Sequence, residues 1–143
     1  MGYASQQDLE AKCRLAVLVQ LTDDARTGQV DAAKVTAAIA EADAIIDSYA
    51  RTRYTTPFEP VPQRVRDLSV DLALYSLFSR RGYDKDSADT AIKDRHDRAM
   101  QFLRDVGAGK ATLDITAPPN EPESFVQVAA RDALFDEEGL RGF

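Results

Sequence analysis

Residues 55–62 read Thr-Thr-Pro-Phe-Glu-Pro-Val-Pro, and this stretch constrains the fold more than any other. Three prolines in six residues remove backbone donors and push the residues before them towards extended conformations, so no helix runs through. Both flanks read as helix. Upstream, residues 32–53 include Ala32, Ala33, Ala37, Ala38, Ala40, Ala42 and Ala44, which favour helix and let a neighbour approach closely. Val35, Ile39, Ala42, Ile46 and Tyr49 fall on one stripe with Ala38 and Ile45 beside it, and Lys34, Glu41, Asp43 and Asp47 mark the opposite face. Downstream, a helix beginning near Pro62 places that proline in its first turn. It carries two apolar stripes, Val65, Leu68, Leu72, Tyr75 and Val70, Leu74, Leu77, Phe78, the pattern of a central helix in a bundle. Gly82 is expected just past its end. A last helix is expected from Asp86 or Ser87 to Gly107, with Ile92, Ala99, Met100, Leu103 and Val106 on its stripe and Phe102 alongside. Short connections between the long helices make them antiparallel neighbours.

The remaining segments are shorter. Ser5 with Asp8 three positions on is close to a capping box, and Leu9, Cys13 and Ala16 or Val17 follow at helical spacing. Residues 15–21 are apolar all round, which predicts a second short helix or turn packed beneath the rest. The acidic loop 23–31 resembles a calcium loop at first, but Ala25, Thr27 and Lys34 occupy positions that need oxygen ligands. It reads instead as a surface turn with Gly28 at positive φ and Asp31 capping the next helix. Beyond Gly109, Leu113 and Ile115 alternate with polar residues, a pattern compatible with a short strand over 110–115. Residues 116–122 form an extended linker, and 123–143 carry several large apolar side chains. The fold class expected is all-α: three long helices with short N-terminal helices in a domain spanning 1–110, then a linker and docking tail over 111–143.

The 143 residues make one domain with a net charge of −6, a poor balance for gripping a phosphate backbone. A single Cys allows no intramolecular disulfide. No apolar run approaches the roughly 20 residues of a membrane helix, and the polar N-terminus lacks a signal-peptide pattern. A soluble intracellular protein is the expectation. No nucleotide-binding, nucleophile-elbow or zinc-protease motif occurs. The lone His96, beside Asp97, could serve as a general base. With no nucleophile indicated, it reads as a boundary residue covering the core edge. Cys13 lacks the cationic helix-start setting of a reactive thiol and reads as a small buried hydrophobe. Arg51, Arg53, Arg64 and Arg66 bracket the proline loop, with Tyr54 and Phe58 interleaved. Nearby acids favour a protein-binding surface over a nucleic-acid patch. No catalytic, cofactor-binding or metal-binding residue is assigned.

Several pieces occur in a distinctive order: Tyr3-Ala-Ser-Gln-Gln-Asp-Leu9, Leu18-Val-Gln-Leu-Thr-Asp23, Val30-Asp31 and Ala42-Asp-Ala-Ile-Ile-Asp-Ser-Tyr49. Arg53-Tyr-Thr-Thr-Pro-Phe58, Pro60-Val-Pro62, Asp71-Leu-Ala-Leu-Tyr75, Phe102-Leu-Arg-Asp-Val-Gly-Ala-Gly-Lys110 and Leu140-Arg-Gly-Phe143 follow. In this order they resemble the Mu-like phage family of head–tail connector proteins, related to the adaptors of other long-tailed phages. The resemblance implies a non-enzymatic virion protein at the head–tail interface, assembled in the bacterial host cytoplasm, with no cofactor and no membrane. It implies a homo-oligomeric ring, dodecameric in such adaptors. The ring sits under the portal protein and offers a platform to a stopper or tail-completion protein. Genomic DNA passes through the lumen without sequence-specific binding. An acidic chain suits that passage, since carboxylates repel phosphates, and four of the six net negative charges lie in 117–143. Contacts in a ring are head-to-tail, so one face must complement a different one. The tail residues Phe125, Val126, Val128, Phe135, Leu140 and Phe143 are assigned to one contact, and Arg53, Tyr54 and Phe58 to a second. The alternative for the tail is that Phe135, Leu140 and Phe143 fold back on their own bundle. The alternatives for function are a generic helical interaction module that binds a partner through its tail and a carboxylate-pair hydrolase, the latter lacking the Glu-x-x-His pattern.

Overall fold

A computed structural model describes residues 2–82 and 89–113. Five helices follow in order, α1 (Gln6–Lys12), α2 (Leu15–Thr22), α3 (Ala32–Ala50), α4 (Gln63–Arg81) and α5 (Asp89–Gly107), and no strand occurs among the described residues. The architecture is the expected all-α bundle of three long helices with two short ones at the N-terminus.

Local chemistry sets most of the boundaries. The Ser5 hydroxyl accepts the Asp8 N–H, and the Asp8 carboxylate accepts the Ser5 N–H at 2.8 Å, so the shorter acid still completes the capping box. Cys13 is extended at φ −131°, ψ 155°, which ends α1 and separates Leu9 from Val17. The stripe through Cys13 is therefore interrupted, and the two short N-terminal helices expected from the sequence meet at this bend. On α2, Leu18 and Leu21 are buried but Leu15 is 54% exposed, so this apolar segment packs on one face and not all round. The Asp23 carboxylate accepts the Thr27 and Gly28 N–H groups and closes the acidic turn, with Gly28 at φ +80°. Asp31 then caps α3 by accepting the Ala33 and Lys34 N–H groups. Helix α3 stops at Ala50 rather than at residue 53. The Ala50 carbonyl takes both the Arg53 and the Tyr54 N–H, turning the chain into the proline loop. Pro62 is the cap before α4, one position outside the first turn expected for it.

Helix α4 is the central element, as its two apolar stripes predict, and it packs against each of the other four helices. It buries Val65, Leu68, Ser69, Val70, Leu72, Ala73, Leu74 and Leu77. Gly82 ends it at φ +105°, donating its N–H to the Phe78 and Ser79 carbonyls. The start of α5 expected at residues 86–87 lies outside the described residues. Its other end abuts α3, where a Cβ on Gly107 would stand 3.4 Å from the Tyr49 carbonyl oxygen. Residues 110–113 are irregular rather than a strand, while 114–115 lie outside the described residues. No strand neighbours it among the described residues: the Leu113 N–H goes to the Tyr54 hydroxyl, and the Leu113 side chain, 1% exposed, fills the bundle. Leu113 thus belongs to the packed core of the described residues.

Candidate interaction site

The proline loop meets the N-terminal arm and the chain leaving α5 at one junction. Tyr3, Phe58 and Tyr54 form a tilted aromatic series with ring centroids 5.8 and 6.1 Å apart. The Tyr3 hydroxyl donates to Asp47 Oδ1 at 2.5 Å and accepts the Phe58 N–H at 3.2 Å. The Tyr3 N–H donates to Asp43 Oδ2 at 2.8 Å, and the Ser69 hydroxyl donates to Asp43 Oδ1 at 2.7 Å. On the far side the Tyr54 hydroxyl accepts the Leu113 N–H at 3.1 Å. Arm, α3, loop, α4 and the segment after α5 are tied together by polar atoms inside an apolar cluster. Burial raises the Tyr3 phenol, reinforced by its bond to Asp47. It also raises the Asp43 carboxyl, against the lowering effect of the Ser69 and Tyr3 hydrogen bonds.

Tyr54 and Phe58, assigned to a contact at the loop, are 7% and 5% exposed, so their rings pack into the chain's own core. Of the three residues assigned there, only Arg53 lies on the surface. Its guanidinium lies against Gly109, which has φ +83°, and a Cβ at that position would approach Arg53 Nη1 to 2.7 Å. Gly109→Ala is expected to destabilise the protein by about 1–2 kcal/mol, the usual penalty for an L side chain at positive φ. Urea unfolding measures it, and an unchanged midpoint would refute the tight approach. The other contact residues, Phe125, Val126, Val128, Phe135, Leu140 and Phe143, lie outside the described residues.

The junction also contains residues that periodicity placed elsewhere. Asp43 and Asp47 fall on the polar face of the α3 pattern, yet both turn to the arm. The only signal was their i, i+4 spacing beside Ala42 and Ile46. His96 lies at the edge of the core, stacked on Tyr75 with centroids 3.9 Å apart and Nδ1 3.1 Å from Asp97 Oδ1. That is the boundary role expected of it. Cys13 is half-buried, and burial raises its thiol pKa, the wrong direction for a nucleophile. No three metal-ligating side chains come together among the described residues.

A second surface feature runs along the α4–α5 seam. Arg64, Leu68, Asp71, Arg95, Arg98 and Ala99 line a groove of about 200 Å³. The Arg64 guanidinium sits 4.3 Å from the centroid of the Phe102 ring, a cation–π contact. Asp71 Oδ1 stands 3.6 Å from Arg95 Nε and 4.0 Å from Lys12 Nζ. Burial raises the Asp71 carboxyl, while Lys12 and Arg95 pull it down. The wider charge distribution differs from that of a uniformly acidic body. The described residues hold 15 acidic and 15 basic side chains, so the body is formally neutral. Residues 83–88 carry a net −1 and residues 114–143 a net −5. No helix of the described residues is long and apolar enough to cross a membrane.

Residues 3–130 match the family described as Bacteriophage Mu, Gp36. The chain is also 29% identical over 122 residues to the Mu-like prophage FluMu protein gp36 of Haemophilus influenzae, covering 85% of this chain and 82% of that protein.

Proposed function

We propose that this chain, which belongs to the bacteriophage Mu Gp36 family, is a structural connector of the virion. In this reading it binds beneath the portal of a DNA-filled head as a homo-oligomeric ring and receives a stopper or tail-completion protein on its far side. The observation that carries the reading is the extent of the family match. From Tyr3 to Ala130 it takes in all of the described residues but Gly2 and more than half of the segment beyond them. The charge distribution supports the same role. A formally neutral body exerts no net pull on passing phosphates, and DNA must slide past a connector rather than adhere to it. The segment beyond Leu113 combines net negative charge with Phe125, Phe135, Leu140 and Phe143, a composition suited to docking on another surface rather than to free solution. Ring contacts are heterologous. Such a segment paired with a different face of the next subunit, or of the portal, meets that requirement.

The test is structural. Purified protein is mixed with portal-bearing capsids and imaged by negative stain. A ring of added density beneath the portal is expected, and its absence at saturating protein would sink the proposal.

A further inference from the structure

The charge asymmetry and the α4–α5 groove fit one another. Leu113, the last described residue, lies a few positions past the end of α5 at Gly107 and is pinned by the Tyr54 hydroxyl. The groove includes Arg64, at the end of the seam where α4 begins. Arg64 lies in the first turn of α4 and stacks on Phe102 near the end of α5, with Arg98 and Arg95 one and two turns further along. Three guanidinium groups and one carboxylate line it, and that carboxylate, Asp71, is shared between Arg95 at 3.6 Å and Lys12 at 4.0 Å, so the lining stays net positive. The seam is therefore a local cationic strip on a body that is neutral as a whole.

We propose that residues 114–143 of the same chain dock along this strip in the free protein, with the acidic run Asp136-Glu137-Glu138 set against Arg64, Arg95 and Arg98. The occupant is argued from charge and reach. This segment carries a net −5 against a neutral body. Its 30 residues can span up to about 100 Å when extended, whereas α4 is only about 28 Å long. Because the segment is covalently joined to the body, docking is intramolecular and proceeds at an effective concentration that does not depend on dilution. The apolar lining residues of the strip, Leu68 and Ala99, are already buried, so ionic contacts dominate and salt weakens them. In consequence, a partner that takes the segment must compete with the chain's own seam. The inference concerns the isolated protein and stands whether or not the connector reading holds.

Paramagnetic NMR on the full chain tests it. A nitroxide is attached through Ala133→Cys in a Cys13→Ser background, on isotopically labelled protein. Broadening of amides in 64–71 and 95–102 is expected at about 50 mM salt, unchanged on dilution, and lost at about 500 mM, where the screening length shrinks severalfold. Arg64→Glu/Arg98→Glu is expected to abolish it. Asp136→Lys/Glu137→Lys/Glu138→Lys is expected to do the same without touching the bundle. Amide dispersion reports whether each variant is folded. Broadening that appears only between differently labelled copies and grows with concentration would place the contact between molecules and overturn the proposal. So would broadening that survives both salt and charge reversal, or none at all.

Discussion

Shortening Leu74 to Ala is expected to lower the free energy of unfolding by about 2–5 kcal/mol, the range for a leucine removed from a closed core. Leu74 is fully buried on α4, the helix that touches the other four. A void there cannot be relieved by the movement of one loose neighbour. A domain of this size has about 5–15 kcal/mol of stability in all, so the variant is expected to unfold at a markedly lower urea concentration with a similar slope. Leu15→Ala is the matched control. The same side chain is deleted, but Leu15 is 54% exposed, and a change of less than about 1 kcal/mol is expected. Comparable losses at the two sites would contradict a core centred on α4.

The difference between those leucines shows what the sequence could and could not reveal. The stripes of α3, α4 and α5 were legible because a 3.6-residue period is a local property, visible without knowing what the helix packs against. The caps at Ser5 and Asp31 were legible for the same reason, since donor and acceptor lie within three residues. Leu15 was not, because residues 15–21 are apolar on every side and only the neighbours decide which side is covered. The junction was hidden more deeply. Tyr3 reaches Asp43 across 40 residues and Tyr54 reaches Leu113 across 59. An aromatic next to an arginine, such as Tyr54 beside Arg53, has the same local signature at an interface and at the rim of a core. Charge was legible as a count but not as a distribution. The neutrality of the described residues emerges only from where the charges fall along the chain, not from their total.

The junction itself provides the sharper test. Asp43→Ala is expected to destabilise the protein by about 2–4 kcal/mol, because it strands two donors at once. The Tyr3 N–H and the Ser69 hydroxyl both point at that carboxylate, from residues 5% and 0% exposed, and an unsatisfied buried donor costs about 1–3 kcal/mol. A double-mutant cycle with Ser69→Ala separates the hydrogen bond from simple loss of packing. If the pair interacts as the 2.7 Å contact indicates, the double variant loses less than the two single losses combined, with a coupling of about 1 kcal/mol. Strict additivity would mean that the contact contributes nothing. The pH dependence adds an independent sign. Burial raises the folded-state pKa of Asp43 above the ordinary value, so the folded state holds this proton more tightly than the unfolded one. By linkage, the contribution of Asp43 falls as pH rises from about 4 to its raised pKa and is constant above that. Asp43→Asn removes the titration and is expected to flatten that part of the stability–pH curve. The part due to Asp71, raised by burial in the same direction, remains. A steeper curve in Asp43→Asn than in the native chain would reverse the sign and show that hydrogen bonding, not desolvation, governs this carboxylate.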